Sequence, residues 1–281
     1  MNYVEALVAQ ASDLEDGQMK QVSVGKTEVL LARTGGKFYA VGAFCSHYGA
    51  PLAKGVMSGE RVVCPWHNAC FSLVSGDQIE PPGLDALARY EVRLEGENVI
   101  VRVPEETSGL RTPDMAAHNP DADGRVFVVL GAGAAGSAAV EMLRQTGFEG
   151  RIVMLTQEAR LPYDRTRLSK DYFIGKVSPE KMPLRTPEFY QEHQIEVLCN
   201  QKVVRVNIGA KTIDFEDGTT LAYDSLLLAS GGKPRRLPVE GAELKNVFTL
   251  RNFEDTNRIL AAARGASRAV VVGSSFIGME A

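Results

Sequence analysis

The sequence has 281 residues, with 31 Lys and Arg against 35 Asp and Glu and a formal net charge of −4. That balance, with no long basic run, argues against nucleic acid or an anionic membrane as the main partner, and the length suggests two domains at about 100–200 residues each. Four cysteines, one of them remote at Cys199, do not make a disulfide framework in a chain this size, so a reducing, cytoplasmic setting is expected.

The N-terminal "MNYVEALVAQ" carries an acid and no basic segment, so it does not read as a signal peptide. The first hundred residues read as many short strands. "QVSVGKTEVLLARTGGKFYAVG" alternates apolar and polar residues and breaks at Gly25 and at Gly35-Gly36, which are hairpin signals. "RYEVRLEGENVIVRV" repeats the pattern around a turn at Glu95-Gly96-Glu97-Asn98, and two more strands are expected beside the segment from Phe44 to Phe71. This is a small all-β domain, residues 1–104.

Within it, three of the four cysteines and two of the four histidines fall together. They run Cys45-x-His47, then sixteen residues, then Cys64-x-x-His67, with Gly49, Pro51 and Pro65 as loop formers. Two Cys–His pairs on two loops can hold a metal. Zinc is one candidate, but zinc fingers place like ligands on one element, as Cys-x₂₋₄-Cys and His-x₃₋₅-His. One Cys and one His from each loop suits a binuclear cluster, with two thiolates on one iron and two imidazoles on the other. Cys70 and Cys199 read as packed thiols.

From Pro104 to Gly124, "PEETSGLRTPDMAAHNPDADG" has three prolines and little periodicity, and reads as a linker over 105–124. An α/β pattern follows. "RVFVVL" is a buried strand, "SAAVEMLRQTGF" a helix ending near Gly147, and "RIVMLT" the next strand. "KTIDFEDGTTLAYDSLLLAS" is a hairpin around Asp217-Gly218 leading into a third buried strand. The longest uncharged stretch, Val126 to Val140, is glycine-rich and shorter than the about 20 residues of a membrane span, so none is expected.

Between the first strand and the helix stands Gly131-x-Gly133-x-x-Gly136. The first glycine allows the tight turn, the second lets backbone approach a pyrophosphate, and the third lets helix pack on strand. Glu158, about 20 residues on, is placed to bind a ribose hydroxyl. The last residues, "RAVVVGSSFIGMEA", give a further buried strand at Val270 to Val272 and a second fingerprint, Gly273-x-Ser275-x-x-Gly278, with Ser275 in the middle position.

Two resemblances join these parts. "CSHYGAPL…CPWHNACF" resembles the Rieske motif, over about residues 3–103. The resemblance implies a [2Fe–2S] cluster on Cys45, His47, Cys64 and His67, and a Cys at position 70 is similar to one in some Rieske flavoproteins. "LPYDRTRLSKDYF" resembles the P-Y-x-R-x-x-L-S-K segment of apoptosis-inducing-factor-like and ferredoxin-reductase-like flavoproteins, in the pyridine nucleotide-disulphide oxidoreductase family. It implies FAD, with Arg165 and Lys170 along it, Val203 at the adenine and Arg251 nearby. Thr166 and Arg167 stand where prolines are common, and "LLLASGGKPRRLP" is similar to the family's A-T-G-x-x-P-R segment with Ser230 for Thr.

The expected fold is therefore multidomain: an all-β Rieske domain, the linker, an α/β Rossmann-like FAD-binding domain over 125–268 that is incomplete, and the start of an NAD(P)H-binding domain over 269–281. The chain reads as a fragment, missing the rest of that domain. The resemblance implies an NAD(P)H-dependent oxidoreductase that passes electrons through FAD to the cluster and on to an acceptor protein or oxygenase, the fragment itself being inactive with NADH. No side chain need be catalytic, and Glu280 resembles an acid near the nicotinamide. Alternatives are a Rieske-type electron carrier with a non-functional flavin half, and a zinc-stabilised scaffold. High-potential Rieske proteins resemble this chain in the second loop, but carry a serine and a tyrosine where it has Ala69 and Phe71, and a disulfide at the positions of Ala50 and Trp66. A low potential is implied.

Overall fold

The computed structural model describes residues 2–281 and divides into two units, residues 1–114 and 115–281. The first unit is all β. Its strands are β1 (Tyr3–Gln10), β2 (Met19–Val24), β3 (Thr27–Thr34), β4 (Lys37–Gly42), β5 (Val56–Ser58), β6 (Arg61–Val63), β7 (Cys70–Ser72), β8 (Gln78–Glu80), β9 (Ala86–Leu87), β10 (Arg89–Glu95), β11 (Asn98–Pro104) and β12 (Leu110–Arg111). They form a six-stranded sheet in the order β1-β11-β10-β4-β3-β2, a four-stranded sheet β5-β6-β7-β8 and the pair β9-β12. The expected hairpins are present: Gly25, Gly35, Gly36 and Gly96 all have positive φ, the conformation two-residue hairpin turns require.

Strand β3 shows why this sequence makes this unit. Side chains of a strand alternate faces. Leu30 and Ala32 enter one core with Leu52, Val62, Phe71 and Leu73, while Val29 and Leu31 enter a second with Val24, Ala40, Val99 and Val101. All four are fully buried, and each leucine so placed contributes about 1.5–3 kcal/mol. The first core also contains Cys45, Ala50, Cys64 and Ala69, so the loops that carry the Cys–His pairs are rooted in it.

The second unit is α/β. Its elements are β13 (Val126–Leu130), α1 (Ala134–Gln145), β14 (Arg151–Leu155), α2 (Pro187–Glu192), β15 (Ile195–Leu198), β16 (Val203–Asn207), β17 (Thr212–Phe215), β18 (Thr220–Ala222), β19 (Ser225–Leu228), α3 (Phe253–Ala263) and α4 (Phe276–Glu280). A parallel sheet runs β15-β14-β13-β19, and β16-β17-β18 form a separate antiparallel sheet. Alternation again sorts the faces. Val129, Ile152 and Met154 pack with Val140 of α1, while Val128, Val153 and Leu155 pack with Ile213 and Phe215 of the antiparallel sheet.

Arg144 is fully buried at the end of α1. It donates to four carbonyls, Phe148 O at 2.7 Å, Gly150 O at 2.9 Å, His193 O at 3.0 Å and Gln194 O at 2.8 Å. Its guanidinium thus ties the ends of two helices to the turn before β14. Within the proline-rich stretch, Leu110–Arg111 pairs with Ala86–Leu87 in the first unit. Ala116 and Asn119 donate to Arg144 O and Glu149 O in the second.

Three expectations change. Helix α1 begins at Ala134, not Ser137, because Gly133 already serves as its N-cap. The third strand of the parallel sheet, β19, lies at its edge, with Leu227 and Leu228 45% and 64% exposed. Val270 to Val272 forms no strand among the described residues, and Val270 is 80% exposed; a parallel strand exists only through neighbours, and no described strand pairs with it.

Candidate functional site

The two Cys–His segments fold into loops of the same construction. Each is closed by an antiparallel pair, Phe44 with Pro51 and Val63 with Cys70. In each, the cysteine N–H donates forward, Cys45 N to Ala50 O at 2.9 Å and Cys64 N to Ala69 O at 2.8 Å. The cysteine carbonyl accepts in return, from Gly49 N at 2.9 Å and from Asn68 N at 3.2 Å. That turn requires a left-handed residue just before its last donor–acceptor pair closes, and Gly49 and Asn68 have φ of 72° and 61°. Glycine and asparagine are the types that adopt it most readily.

The result gathers all four expected ligands. Cys45 and Cys64 are buried, 3% and 2% exposed. Burial pushes the Cys45 thiol up to about 11, against hydrogen bonds from the His47 and Tyr48 backbone and alongside the neighbouring Cys64. Backbone N–H groups aimed at a sulfur favour its thiolate form, and a bound metal deprotonates a coordinating thiol outright. The His47 and His67 rings lie 4.8 Å apart, edge to face. The donors are therefore paired by type, two sulfurs and two imidazoles. Among the described residues no group of three or more His, Cys, Asp or Glu is arranged to hold one metal ion. This donor set fits a two-iron cluster, which takes two protein ligands per iron.

Tyr48 is not marked by the sequence. Its ring stacks on His47 at 3.9 Å and meets His67 edge-on at 5.7 Å. Nothing in its spacing distinguishes it from any other loop tyrosine. Cys70 is buried and held above its ordinary value by that burial and then by Glu80. Cys199 sits half-buried beyond β15, in the other unit.

In the second unit the three fingerprint glycines have three distinct surroundings. A Cβ on Gly131, whose φ is 122°, would collide with Ala229 O at the end of β19. A Cβ on Gly136 would collide with Gly131 O. Around Gly133 nothing lies within 4 Å. Gly131 thus serves the close approach of the turn to the end of β19, Gly136 that of helix to strand, and Gly133 faces open space at the N-terminus of α1. That is where a pyrophosphate would meet backbone N–H groups and the helix dipole, and the glycines fit a dinucleotide.

Beside this cradle, Glu158 pairs with the Arg165 guanidinium and accepts from Tyr163 Oη at 2.7 Å. Arg165 Nη1 also donates to Tyr163 Oη at 3.0 Å and to Arg251 O at 3.2 Å. Burial, and then the hydrogen bond to Glu158, pushes the Tyr163 phenol up. The structure thus brings Glu158, Arg165 and Arg251 together around Tyr163, a residue the sequence did not single out. The Glu158 carboxylate is engaged there, while Gln157, two residues past β14, is exposed. The Arg251 side chain approaches Gly231, whose Cβ would lie 3.0 Å from its Nη2. Lys170 stands apart, 3.4 Å from Glu280 Oε1, and Ser169 Oγ donates to Glu280 Oε2 at 2.7 Å. Val203 opens β16 and packs with Phe215 and Leu155. It follows Gln201, which donates to Thr156 O at the end of β14.

Residues 125–281 match the family described as pyridine nucleotide-disulphide oxidoreductase, and residues 5–91 match the Rieske [2Fe-2S] domain. The chain is 46% identical over 283 residues to apoptosis-inducing factor 3 of Homo sapiens, covering 99% of this chain and 46% of that protein. It is 37% identical over 154 residues to rhodocoxin reductase of Rhodococcus erythropolis, covering 55% of this chain and 36% of that protein. The covalent putidaredoxin reductase–putidaredoxin complex contains a chain of similar structure, with a TM-score of 0.52 and 36% identity over 56% of this chain and 38% of that one. The chain spans about half the length, or less, of the curated relatives it matches. No helix among the described residues is long and apolar enough to cross a membrane.

Proposed function

Because this chain belongs to the pyridine nucleotide-disulphide oxidoreductase family and carries a Rieske [2Fe-2S] domain, we propose that it works within an NAD(P)H-dependent flavoprotein oxidoreductase that delivers electrons to a protein acceptor. The observation that carries the reading is the pair of matched loops, which present two buried cysteines and two adjacent imidazoles on the same chain as a glycine cradle for a dinucleotide. When bound, FAD supplies the exchange between two-electron and one-electron chemistry, and the cluster supplies one-electron transfer.

The chain's own residues supply binding and environment. Cys45 and Cys64 would hold one iron, and His47 and His67 the other. Gly133 and the N-terminus of α1 would take the FAD pyrophosphate. Arg165 and Lys170 would place positive charge along the flavin, which favours its reduced, more negative form. Glu158 and Tyr163 orient Arg165, and Glu280 restrains Lys170. No side chain is assigned as acid or base. The relatives include ferredoxin reductase components of dioxygenase systems, and a ferredoxin-like or oxygenase acceptor is the class this reading favours.

The visible spectrum and metal content of the purified chain test it. Flavin bands together with Rieske bands, and two irons per chain, are expected. Rieske bands alone would leave a carrier module, and a colourless zinc protein would leave only a scaffold.

A further inference from the structure

Most of the stretch that reads as a linker is held by one unit or the other. On the first-unit side, Glu105 N donates to Asn2 O at 3.0 Å, and Ala88 N donates to Gly109 O at 3.0 Å. Leu110–Arg111 then pairs with Ala86–Leu87, and the Arg111 guanidinium pairs with Asp77. On the second-unit side, Ala116 N donates to Arg144 O at 2.9 Å and Asn119 N to Glu149 O at 2.9 Å. His118 adds two bonds, from its backbone N to Gln194 Oε1 and from its ring Nδ1 to Glu149 O, each at 2.7 Å.

Local chemistry explains why residues 116–123 seat as a piece. Asn119 opens a β-turn with Pro120 in second place, and both types are favoured at those positions. Ala122 N and Asp123 N donate to Asn119 O at 3.1 Å and 3.0 Å, and Asn119 Oδ1 accepts from Asp121 N and Ala122 N. Arg125 holds the far end through the Asp123 carboxylate, with Nε at 2.9 Å and Nη2 at 2.6 Å. The receiving residue is fixed as well. Gln194 has a φ of 50°, and its carbonyl accepts from the buried Arg144 at 2.8 Å. Between the two sides, Thr112, Pro113, Asp114 and Met115 make no backbone hydrogen bond among the described residues. Asp114 is fully exposed, and its approach to Arg111 at 3.8 Å is of a kind worth little in water.

We propose that residues 116–123 are a strap belonging to the second unit, and that the chain between the units is free only over Thr112–Met115. The strap sets a length. Seated, it leaves a tether of four residues, and released, one of twelve, residues 112–123. At about 3.3–3.6 Å per residue, the greatest reach of the tether rises from about 14 Å to about 43 Å. The effective concentration of one tethered unit at the other falls roughly as the −3/2 power of tether length, so release lowers it about fivefold. The inference goes beyond the electron-transfer reading and stands without any cofactor.

The test is limited digestion of the full chain with endoproteinase Asp-N, which cuts before aspartate, read by mass spectrometry. Asp114, Asp121 and Asp123 all lie in the stretch, so each digest carries its own comparison. The cut before Asp114 should be faster than those before Asp121 and Asp123 by about tenfold or more, because cleavage needs backbone free of hydrogen bonds. Gln194→Asn keeps a residue type that accepts left-handed backbone but shortens the amide that receives His118 N. It should speed the cuts before Asp121 and Asp123 by about threefold or more and leave the cut before Asp114 unchanged. Hydrogen exchange of the wild type checks the same point without a variant. Relative to their intrinsic rates, the Ala116, His118 and Asn119 amides should exchange about tenfold or more slowly than those of Thr112, Asp114 and Met115. Comparable cutting at the three aspartates, a spared bond before Asp114, a Gln194→Asn pattern like the wild type's, or equal exchange in the two groups of amides would overturn the proposal. Each of those outcomes would leave the cluster and flavin assignments standing.

Discussion

Cys64 is buried beside a second thiol, Cys45, whereas Cys199 is half-buried in the other unit. A serine hydroxyl is a hard, poor substitute for a thiolate on iron. Cys64→Ser should therefore abolish iron and sulfide binding, while Cys199→Ser should leave both at wild-type levels; equal contents in the two variants would remove the ligand assignment. Tyr163 permits a prediction of a different kind. Its phenol is held above the ordinary value by burial and by the hydrogen bond to Glu158. A group whose pKa is raised by folding contributes stability that is intact below its unfolded value, here about 10, and lost as pH rises above it. The melting temperature of the second unit should hold up to about pH 9 and fall above about pH 10, and Tyr163→Phe should flatten that fall; a variant with an unchanged alkaline limb would show that Tyr163 is not responsible. At this scale the ligands were legible because chemistry selects their types: few residues bind iron, and their spacing is unusual. Tyr48 and Tyr163 were not legible, because their roles depend on which ring or carboxylate the fold brings against them. Nor was the full burial of Arg144, a charged residue within a helix, legible.

Strand β13, the turn after it and α1 form the element on which the flavin reading depends. The sequence marked it correctly because a fingerprint between a strand and a helix constrains backbone, and backbone constraint is written in glycine. It did not separate the three glycines by role, which needs the neighbours. Gly136→Ala should destabilise the second unit, since its Cβ would overlap Gly131 O and the helix must move off the strand. Overpacking of this kind costs about 1–3 kcal/mol or more. Gly133→Ala should leave the fold stable, because nothing lies within 4 Å of the new Cβ, yet weaken FAD retention by intruding where the pyrophosphate approaches. Urea unfolding of the flavin-free protein and FAD titration separate the two outcomes, and a Gly133→Ala protein that binds FAD as tightly as the wild type would contradict the cradle. The same element is fastened at its far end by Arg144. In Arg144→Met the four carbonyls lose a buried donor at about 1–3 kcal/mol each where water does not replace it, so a loss of about 3 kcal/mol or more is expected by urea unfolding. Val270 to Val272 marks the limit of pattern reading. A run of β-branched residues states a preference, and pairing decides whether a strand forms.

Across the whole chain, the stretch that reads as a linker, 105–124, contains the division at 114/115 between two units with separate cores, one carrying the proposed metal ligands and the other the proposed nucleotide cradle. The proposed flow of electrons from a flavin to the cluster and onward requires a cluster that passes electrons on to acceptors of higher potential. The second loop bears on where that potential lies. Ala69 and Phe71 are both fully buried, and neither side chain has a donor. Hydrogen bonds to cluster sulfurs stabilise the more negative reduced state and raise the potential, and an apolar surround lowers it. The centre is therefore expected in the lower part of the Rieske range of about −150 to +300 mV. Such a value suits a flavin-fed centre that serves an oxygenase or similar acceptor, and suits oxidation of a respiratory quinol poorly. The Phe71 ring tip meets Gly83, whose Cβ would lie 2.9 Å from Phe71 Cζ, so a hydroxyl added there is confined, and Ala69→Ser is the less intrusive change. A redox titration of the wild type, of Ala69→Ser and of Ala69→Ser/Phe71→Tyr should give a low wild-type midpoint and a higher one in each variant. A wild-type midpoint near the top of the range, or variants that do not rise, would separate this centre from the flavin-fed direction of flow.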